Sequence, residues 1–313
     1  MTDTFTYNST EKKRLDSYLT EVFADMSRSH IAGLIKEGKI TVNGKNVKTG
    51  YSLQPGDIIE AEEEEPEDAA AVPEDIPLDI VYEDDDVIVV NKPKGMVVHP
   101  AAGHASGTLV NALLFHCRDS LSGINGVLRP GIVHRIDMDT TGLVIACKND
   151  FSHNSIAAQL KEHSTVRRYT ALCQGIIKED EGTIDKNIGR SPKDRKKMAV
   201  VPSGCGKNAV THYRVLERYE KNTLIECRLE TGRTHQIRVH MASIGHPLCG
   251  DEVYGIKDDR FPGNGQYLHA RVLGFKHPRS GIYMEFDSDL PQYFTETLSR
   301  LSLCQASHSL HKG

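Results

Sequence analysis

A histidine, a cation and a carboxylate lie within four residues in His134-Arg135-Ile136-Asp137, and a second acid, Asp139, follows two positions later. Beyond Thr140-Thr141-Gly142-Leu143 comes Val144-Ile145-Ala146-Cys147, a short apolar run of the kind that makes a buried strand. Asp137 is therefore expected just ahead of a core element, on a rigid mount with restricted access to water. That setting tunes a carboxylate for nucleophilic or acid–base work, and a structural ion pair uses the same setting. On these residues alone both readings stand.

The elements around this run must bring other polar groups to it. Val87-Ile88-Val89-Val90 reads as a buried strand that exits through Asn91-Lys92-Pro93, where proline ends pairing and Gly95 permits a turn; Lys92 and Lys94 are either solvated cations or part of a site. Val166-Arg167-Arg168-Tyr169-Thr170-Ala171-Leu172-Cys173 has strand composition, with Tyr169 by default a half-buried packing residue. From Arg233 to His240 the sequence alternates, with Ile237 and Val239 against Gln236, Arg238 and His240, so a strand is expected with Arg238 on its polar face. Arg190, Lys193, Arg195, Lys196 and Lys197 form a basic loop around Pro192, either a phosphate clamp or a solvated loop. The intervals among His235, His240, His246 and Cys249 fit no common zinc pattern, and no metal is expected.

The chain has 313 residues with 38% hydrophobic content, enough for one large core and a smaller second domain. No stretch reaches the roughly 18 uninterrupted apolar residues of a membrane span, the N-terminus lacks a signal-peptide core, and seven cysteines without a CxxC pair suit a reducing compartment. A soluble cytoplasmic protein is expected. The net charge of −5 conceals an asymmetry: residues 60–86 hold 14 of the 43 acids and no Lys or Arg, leaving the rest of the chain at +9, a balance that suits a nucleic-acid binder. Glu60 to Asp75, acidic and with two prolines, reads as an extended linker between two domains.

Before that linker, Leu15, Tyr18, Leu19, Val22, Phe23 and Met26 recur at helical spacing, Ser29 is placed to cap a second helix through Lys36, and Gly38 to end it. Ile40 and Val42 alternate with polar residues, Asn43-Gly44 supplies a type I′ turn, and Val47 is expected on the returning strand. Arg28, Lys36, Lys39 and Lys45 put cations near the helix starts and the hairpin, where phosphates can bind.

Several of these stretches resemble one known family, in its order. His134-Arg135-Ile136-Asp137-Met138-Asp139-Thr140-Thr141-Gly142 resembles the H-R-L-D-x-x-T-S-G signature of the RluA-type pseudouridine synthases, with Ile136 for Leu and Thr141 for Ser. Asn91 to Pro100, Arg168-Tyr169-Thr170-Ala171, Thr231 to His240, Gly245 to Asp251 and Leu268-His269-Ala270 match further motifs, so the resemblance covers about two thirds of the chain. Ser27-Arg28-Ser29, Gly38 to Gly44 and Leu53-Gln54-Pro55-Gly56-Asp57 are similar to an S4 RNA-binding domain.

The resemblance implies an α+β catalytic domain with a bent, mostly antiparallel mixed sheet, flanking helices and a cleft along its face. It implies isomerisation of uridine to pseudouridine in RNA without metal or cofactor. Asp137 would act at the sugar, Tyr169 would lie against the base, Arg238 would partner Asp137, and Arg135 would fill the gap left by the extruded base; His134 is read as a structural hydrogen-bonding residue. Two alternatives stay open, an RNA N-glycosidase and a non-catalytic ribosome-assembly factor. The expected organisation is a flexible N-terminus at 1–12, an S4-like domain at 13–60, an acidic linker at 61–76, the catalytic domain at 77–300 and a flexible tail at 301–313. The expected partner is RNA, of the large ribosomal subunit (23S type) or an assembly intermediate, with the protein acting as a monomer.

Overall fold

Alternation in Thr2-Asp3-Thr4-Phe5-Thr6-Tyr7 begins the fold with a strand where a flexible N-terminus was expected. The computed structural model describes residues 2–310 apart from 10, 24–27, 63–70, 102–103, 119, 125, 127–128, 193, 195–196, 203, 259 and 262–264. The chain divides into two compact units, Met1–Asp68 and Ala69–Gly313.

In the first unit, β1 (Thr2–Tyr7) precedes α1 (Leu15–Val22), α2 (Arg28–Lys36), β2 (Ile40–Val42), β3 (Lys45–Asn46) and β4 (Asp57–Glu62), and the strands form a sheet in the order β1-β4-β2-β3. β1 is held because Phe5 packs edge-on against Phe23 at 5.4 Å and Tyr7 against Tyr18 at 5.0 Å. Leu15, Leu19, Ile31, Ile35, Ile40 and Ile59 fill the core. Asn43 and Gly44 both take positive φ, 51° and 68°, as a type I′ turn requires. Some expectations shift here. Ser29 lies inside α2 rather than at its cap, Val47 lies past the end of β3, and Met26 falls outside the described residues. Ala61 and Glu62, expected in the linker, belong to β4 because pairing with β1 and β2 satisfies their backbone.

The second unit comprises β5 (Ile80–Glu83), β6 (Val87–Lys92), α3 (Leu109–Cys117), β7 (Thr141–Cys147), α4 (Asp150–Lys161), β8 (Val166–Gln174), β9 (Glu181–Asp185), β10 (Ile188–Arg190), β11 (Met198–Val200), β12 (Val210–Arg218), β13 (Asn222–Leu229), α5 (Gln236–Ser243), β14 (Leu268–Lys276), β15 (Tyr283–Asp287) and α6 (Gln292–Leu310). Its main sheet runs β5-β6-β7-β14-β8-β13-β12-β9, with β15 branching from β14; every pairing is antiparallel except β7 with β14. The fold is α+β. The acidic linker also ends earlier than expected: Ala71 is buried in the core, Asn111 Nδ2 donates to the Val72 carbonyl, and the Glu74 carboxylate accepts from Gly107 N. Residues 63–70 lie outside the described residues.

β6 and β7 are continuously apolar because both of their faces are covered. Ile88, Val90, Val144 and Ala146 enter the cluster that includes α3 and α5, while Val87, Val89, Leu143 and Ile145 pack on the opposite side with Ile156 of α4 and Phe275. The expected strand over 233–240 is instead the helix α5, buried from Gln236 to Met241. Ile237 and Met241 enter one core cluster and Val239 another, so a helix buried all round produced an alternation that imitates a strand. The expected tail is likewise helical. Phe294, Leu298 and Leu301, at helical spacing, pack α6 against Tyr219, Leu224 and Tyr267, and α6 runs on to Leu310.

The parallel junction of β7 with β14 depends on Gly142, which has φ +109° and would place a Cβ 2.3 Å from the Ala270 carbonyl oxygen. Gly142→Ala is expected to destabilise the second unit by about 3 kcal/mol or more in denaturant unfolding. Gly95→Ala, also at positive φ (+79°) but facing open space, should cost only about 1 kcal/mol. Equal effects would show that the close approach does not matter.

Candidate active site

Asp137 sits on the turn that enters β7, with its carbonyl accepting from Thr140 N at 3.1 Å. Beneath that turn lies Lys92, the last residue of β6 and fully buried. Its ammonium donates to the carbonyls of Pro93, Met96 and Met138 at 2.8, 2.8 and 2.9 Å. Three carbonyl acceptors match the three donors of an ammonium group. Burial pushes Lys92 down to about 7, with Asp139 and Asp137 opposing. One side chain thus ties the Asn91–Gly95 turn to the loop that carries Asp137, and Gly95 N adds a 3.0 Å bond to the Met138 carbonyl.

α5 supplies the counter-charge. Arg238 Nη1 donates to Asp137 Oδ2 at 3.0 Å, while Nε and Nη2 grip Asp251 at 2.7 and 2.9 Å. Asp251 also accepts from the backbone N–H groups of Val253 and Tyr254, and its side chain is completely buried. Burial alone would raise the Asp251 carboxyl, but the Arg238 hydrogen bonds and charge outweigh it and hold it below the usual range. The guanidinium lies over the Tyr254 ring at 5.1 Å. Asp251 therefore fixes Arg238, and Arg238 fixes one oxygen of Asp137. The other, Oδ1, has His235 Nε2 4.0 Å away.

Asp137, His235 and Arg238 line an open cleft together with Arg135, Thr140, Tyr169, Arg233, Ile237 and Leu268. Tyr169 stands on β8 and is 8% exposed; burial raises its phenol, with Arg167 opposing. Arg135 is exposed at the rim with Nη1 3.4 Å from His99 Nε2. His134 points away from the chemistry: its Nε2 accepts from Ile145 N at 3.1 Å, and burial pushes it down to about 3, so it is neutral.

The cleft thus combines a fixed carboxylate, an aromatic face and an exposed guanidinium at one opening. The family model described as RNA pseudouridylate synthase matches residues 86–243, and that for the S4 domain matches residues 13–59. An uncharacterised RNA pseudouridine synthase of Bacillus subtilis is 54% identical over 93% of this chain and 95% of its own length. The ribosomal large subunit pseudouridine synthase D of Zymomonas mobilis is 48% identical over 89% of this chain and 90% of its own. The chain belongs to the RNA pseudouridine synthase family. The human RNA pseudouridylate synthase domain-containing protein 1 superposes with a TM-score of 0.54 at 26% identity, covering 72% of this chain and 95% of that one.

Within this family member, Asp137, Tyr169, Arg238 and Arg135 meet at one cleft, although they come from a loop, a strand and a helix. Arg238 arrives there from a buried helix rather than from the polar face of a strand. The other cations expected to bind RNA are dispersed. In the first unit, Arg28 donates to the buried Asp16, Lys39 pairs with Glu37 at 3.2 Å, and Lys36 and Lys45 are exposed. In the second, Arg190 ends β10 and Lys197 Nζ reaches the Val253 carbonyl at 3.3 Å; Lys193, Arg195 and Lys196 lie outside the described residues.

Sequence reasoning missed the roles of Lys92 and Asp251. For Lys92 a signal existed, since Ile88, Val90 and Lys92 share one strand face and the first two are core residues. For Asp251 the one pointer was its place at the end of the matched stretch Gly245–Asp251, since its partner lies 13 residues away on an element read as a strand.

Asp251→Asn should free Arg238 and lower kcat by roughly 10- to 100-fold with little change in KM, measured as uridine conversion; unchanged kcat would show that Asp251 does not position the site. His134 is kept far below its ordinary 6.5, so the unfolded chain binds the proton first and stability falls as pH drops from 6.5 toward 3. His134→Gln should remove up to about 2 kcal/mol of that loss between pH 6.5 and 5, read by denaturant unfolding; a superimposable profile would contradict it.

Proposed function

We propose that this family member converts uridines of large-subunit ribosomal RNA to pseudouridine, with Asp137 as the group that acts at the sugar. The observation that carries this is the division of the Asp137 carboxylate: Oδ2 is held by Arg238 while the side chain stays 18% exposed to the cleft beside Tyr169. A guanidinium hydrogen bond keeps the carboxylate aimed.

The target base first leaves its stack, at a cost of a few kcal/mol that Arg135, free of Asp137 and Asp139 and set at the cleft rim, can offset by occupying the gap. Asp137 then attacks C1′ or removes a sugar proton on the way to a glycal; either route breaks the N1–C1′ bond. The uracil turns and C5 bonds to C1′, displacing Asp137 from C1′ on the first route or taking back its proton at C2′ on the second; the C5 proton is then lost and N1 gains one. Atoms and electrons balance within the nucleotide, so the reaction needs no co-reactant. Tyr169, a phenol kept protonated by burial, stacks on the base and assists loss of the C5 proton to solvent as a hydrogen-bonding group, not as its acceptor.

The synthase D relatives are the support for large-subunit ribosomal RNA as the target, and a ribosomal substrate implies a cytoplasmic location. Among the described residues no helix is long and apolar enough to cross a membrane. The S4 unit, with Lys36 and Lys45 exposed, is assigned to RNA docking.

RNA labelled with tritium at uracil C5 tests the assignment. The wild type should release tritium from large-subunit ribosomal RNA with the base retained, and Asp137→Asn should abolish release. Free uracil would point to a glycosidase, and binding without release by the wild type to an assembly factor.

A further inference from the structure

His235 is the one residue of the cleft wall whose backbone is left-handed, with φ 56° directly before α5. A non-glycine residue there is held by its surroundings. On one side, Gln236 Oε1 accepts from Arg233 N and from Thr231 Oγ1, while its Nε2 donates to the Val210 carbonyl and to Thr211 Oγ1. On the other, the His235 ring meets the Tyr254 hydroxyl through Nδ1 at 2.8 Å.

That hydroxyl already accepts from Met198 N at 2.9 Å. Among the described residues its own proton has no acceptor other than Nδ1, so the hydroxyl is assigned as the donor there and the proton of the neutral imidazole to Nε2. Burial holds the ring below its ordinary value, with Asp137 opposing and Arg238 adding to the depression, so the neutral form prevails at pH 7. Nε2–H is thus a donor with a fixed direction, and it faces Asp137 Oδ1 across 4.0 Å. This span is too long for a direct hydrogen bond. It suits one oxygen placed about 2.8 Å from each atom, off the line between them. Such an oxygen must accept from Nε2–H and donate to a carboxylate, which a hydroxyl does and a carbonyl or phosphate oxygen does not.

We propose that His235 and Asp137 together form a two-point reader for the ribose 2′-hydroxyl of the target nucleotide, with His235 as a specificity-determining residue for RNA over DNA. The inference rests on the proposed reaction, in which Asp137 works at the sugar, and the 2′-hydroxyl is adjacent to C1′ there. It is also the group by which a protein tells RNA from DNA at a given position. Tyr254 is then a positioning residue, acting through the imidazole.

The experiment compares single-turnover rates on two RNA fragments, one all-ribose and one with a single 2′-deoxyuridine at the modified position. The wild type should prefer the ribose substrate by about 10- to 100-fold. His235→Asn tolerates the left-handed backbone but falls short of the hydroxyl, and should reduce that preference about tenfold while slowing the deoxy substrate little. His235→Gln, which restores an N–H at longer reach, should recover part of the preference. The intrinsic effect of the missing hydroxyl on the chemistry is the same for each enzyme and cancels in the ratio of ratios. An unchanged preference in His235→Asn overturns the proposal, as does an equal slowing on both substrates with an unaltered melting temperature. A wild type that forms no pseudouridine on the all-ribose RNA overturns the underlying reaction instead.

Discussion

A guanidinium shared by two carboxylates in a nearly dry pocket constrains everything else in the catalytic unit. Arg238 is 6% exposed and makes three hydrogen bonds, two to Asp251 and one to Asp137. Taking such charges out of water costs several kcal/mol each, and removing a single partner leaves another uncompensated. The arrangement is therefore tolerable only as a set, and the set requires that α5, the turn after Gly250 and the loop before β7 arrive together. One positive charge between two negative ones leaves a net −1. Because the bidentate grip belongs to the buried Asp251, that surplus resides on the carboxylate that opens to the cleft.

The loop that carries Asp137 has no regular structure of its own, and its rigidity is borrowed. Lys92 draws the Met138 carbonyl down from below, Thr140 Oγ1 accepts from the buried Gln266, and Thr141 Oγ1 pairs with His269 Nδ1 at 2.8 Å on the neighbouring β14. These contacts reach two segments far from the loop in sequence, one at Lys92 and one at Gln266–His269. A reactive carboxylate on a loop thereby gains the precision of one mounted on a strand. The parallel step from β7 to β14 serves the same end, since it brings Thr141 and Gly142 beside His269 and Ala270.

The buried strands were more legible than their order in the sheet or the polar network. Val87–Val90 and Val144–Cys147 are apolar on successive residues because both faces are buried, a pattern that local sequence states directly. Asp137, Tyr169 and Arg238 were reached through motif resemblance, and their convergence could not be read from spacing. The stretch Gln236–His240 misled because full burial removes the polar face by which a helix announces its period. The terminal segments misled for a different reason. Thr2–Tyr7 is anchored through Phe5 and Tyr7, and α6 through Phe294, Leu298 and Leu301, and the partners of these few side chains lie elsewhere in the chain.

Charge tells a similar story in the S4 unit. Arg28 looked like a free cation beside a helix start, yet it donates to Asp16 together with Arg14, and the two guanidiniums, with burial opposing, hold that carboxyl down at about 2. The cluster still carries a net +1, and both arginine side chains remain more than half exposed. A buried acid thus acts as a pedestal that fixes two cations at the surface in a set geometry, which lowers the conformational entropy lost when a phosphate binds. Lys36 and Lys45 are exposed as well. RNA docking as proposed for this unit would therefore meet an ordered pair of guanidiniums among other surface cations, which suits positioning the RNA over reading its sequence.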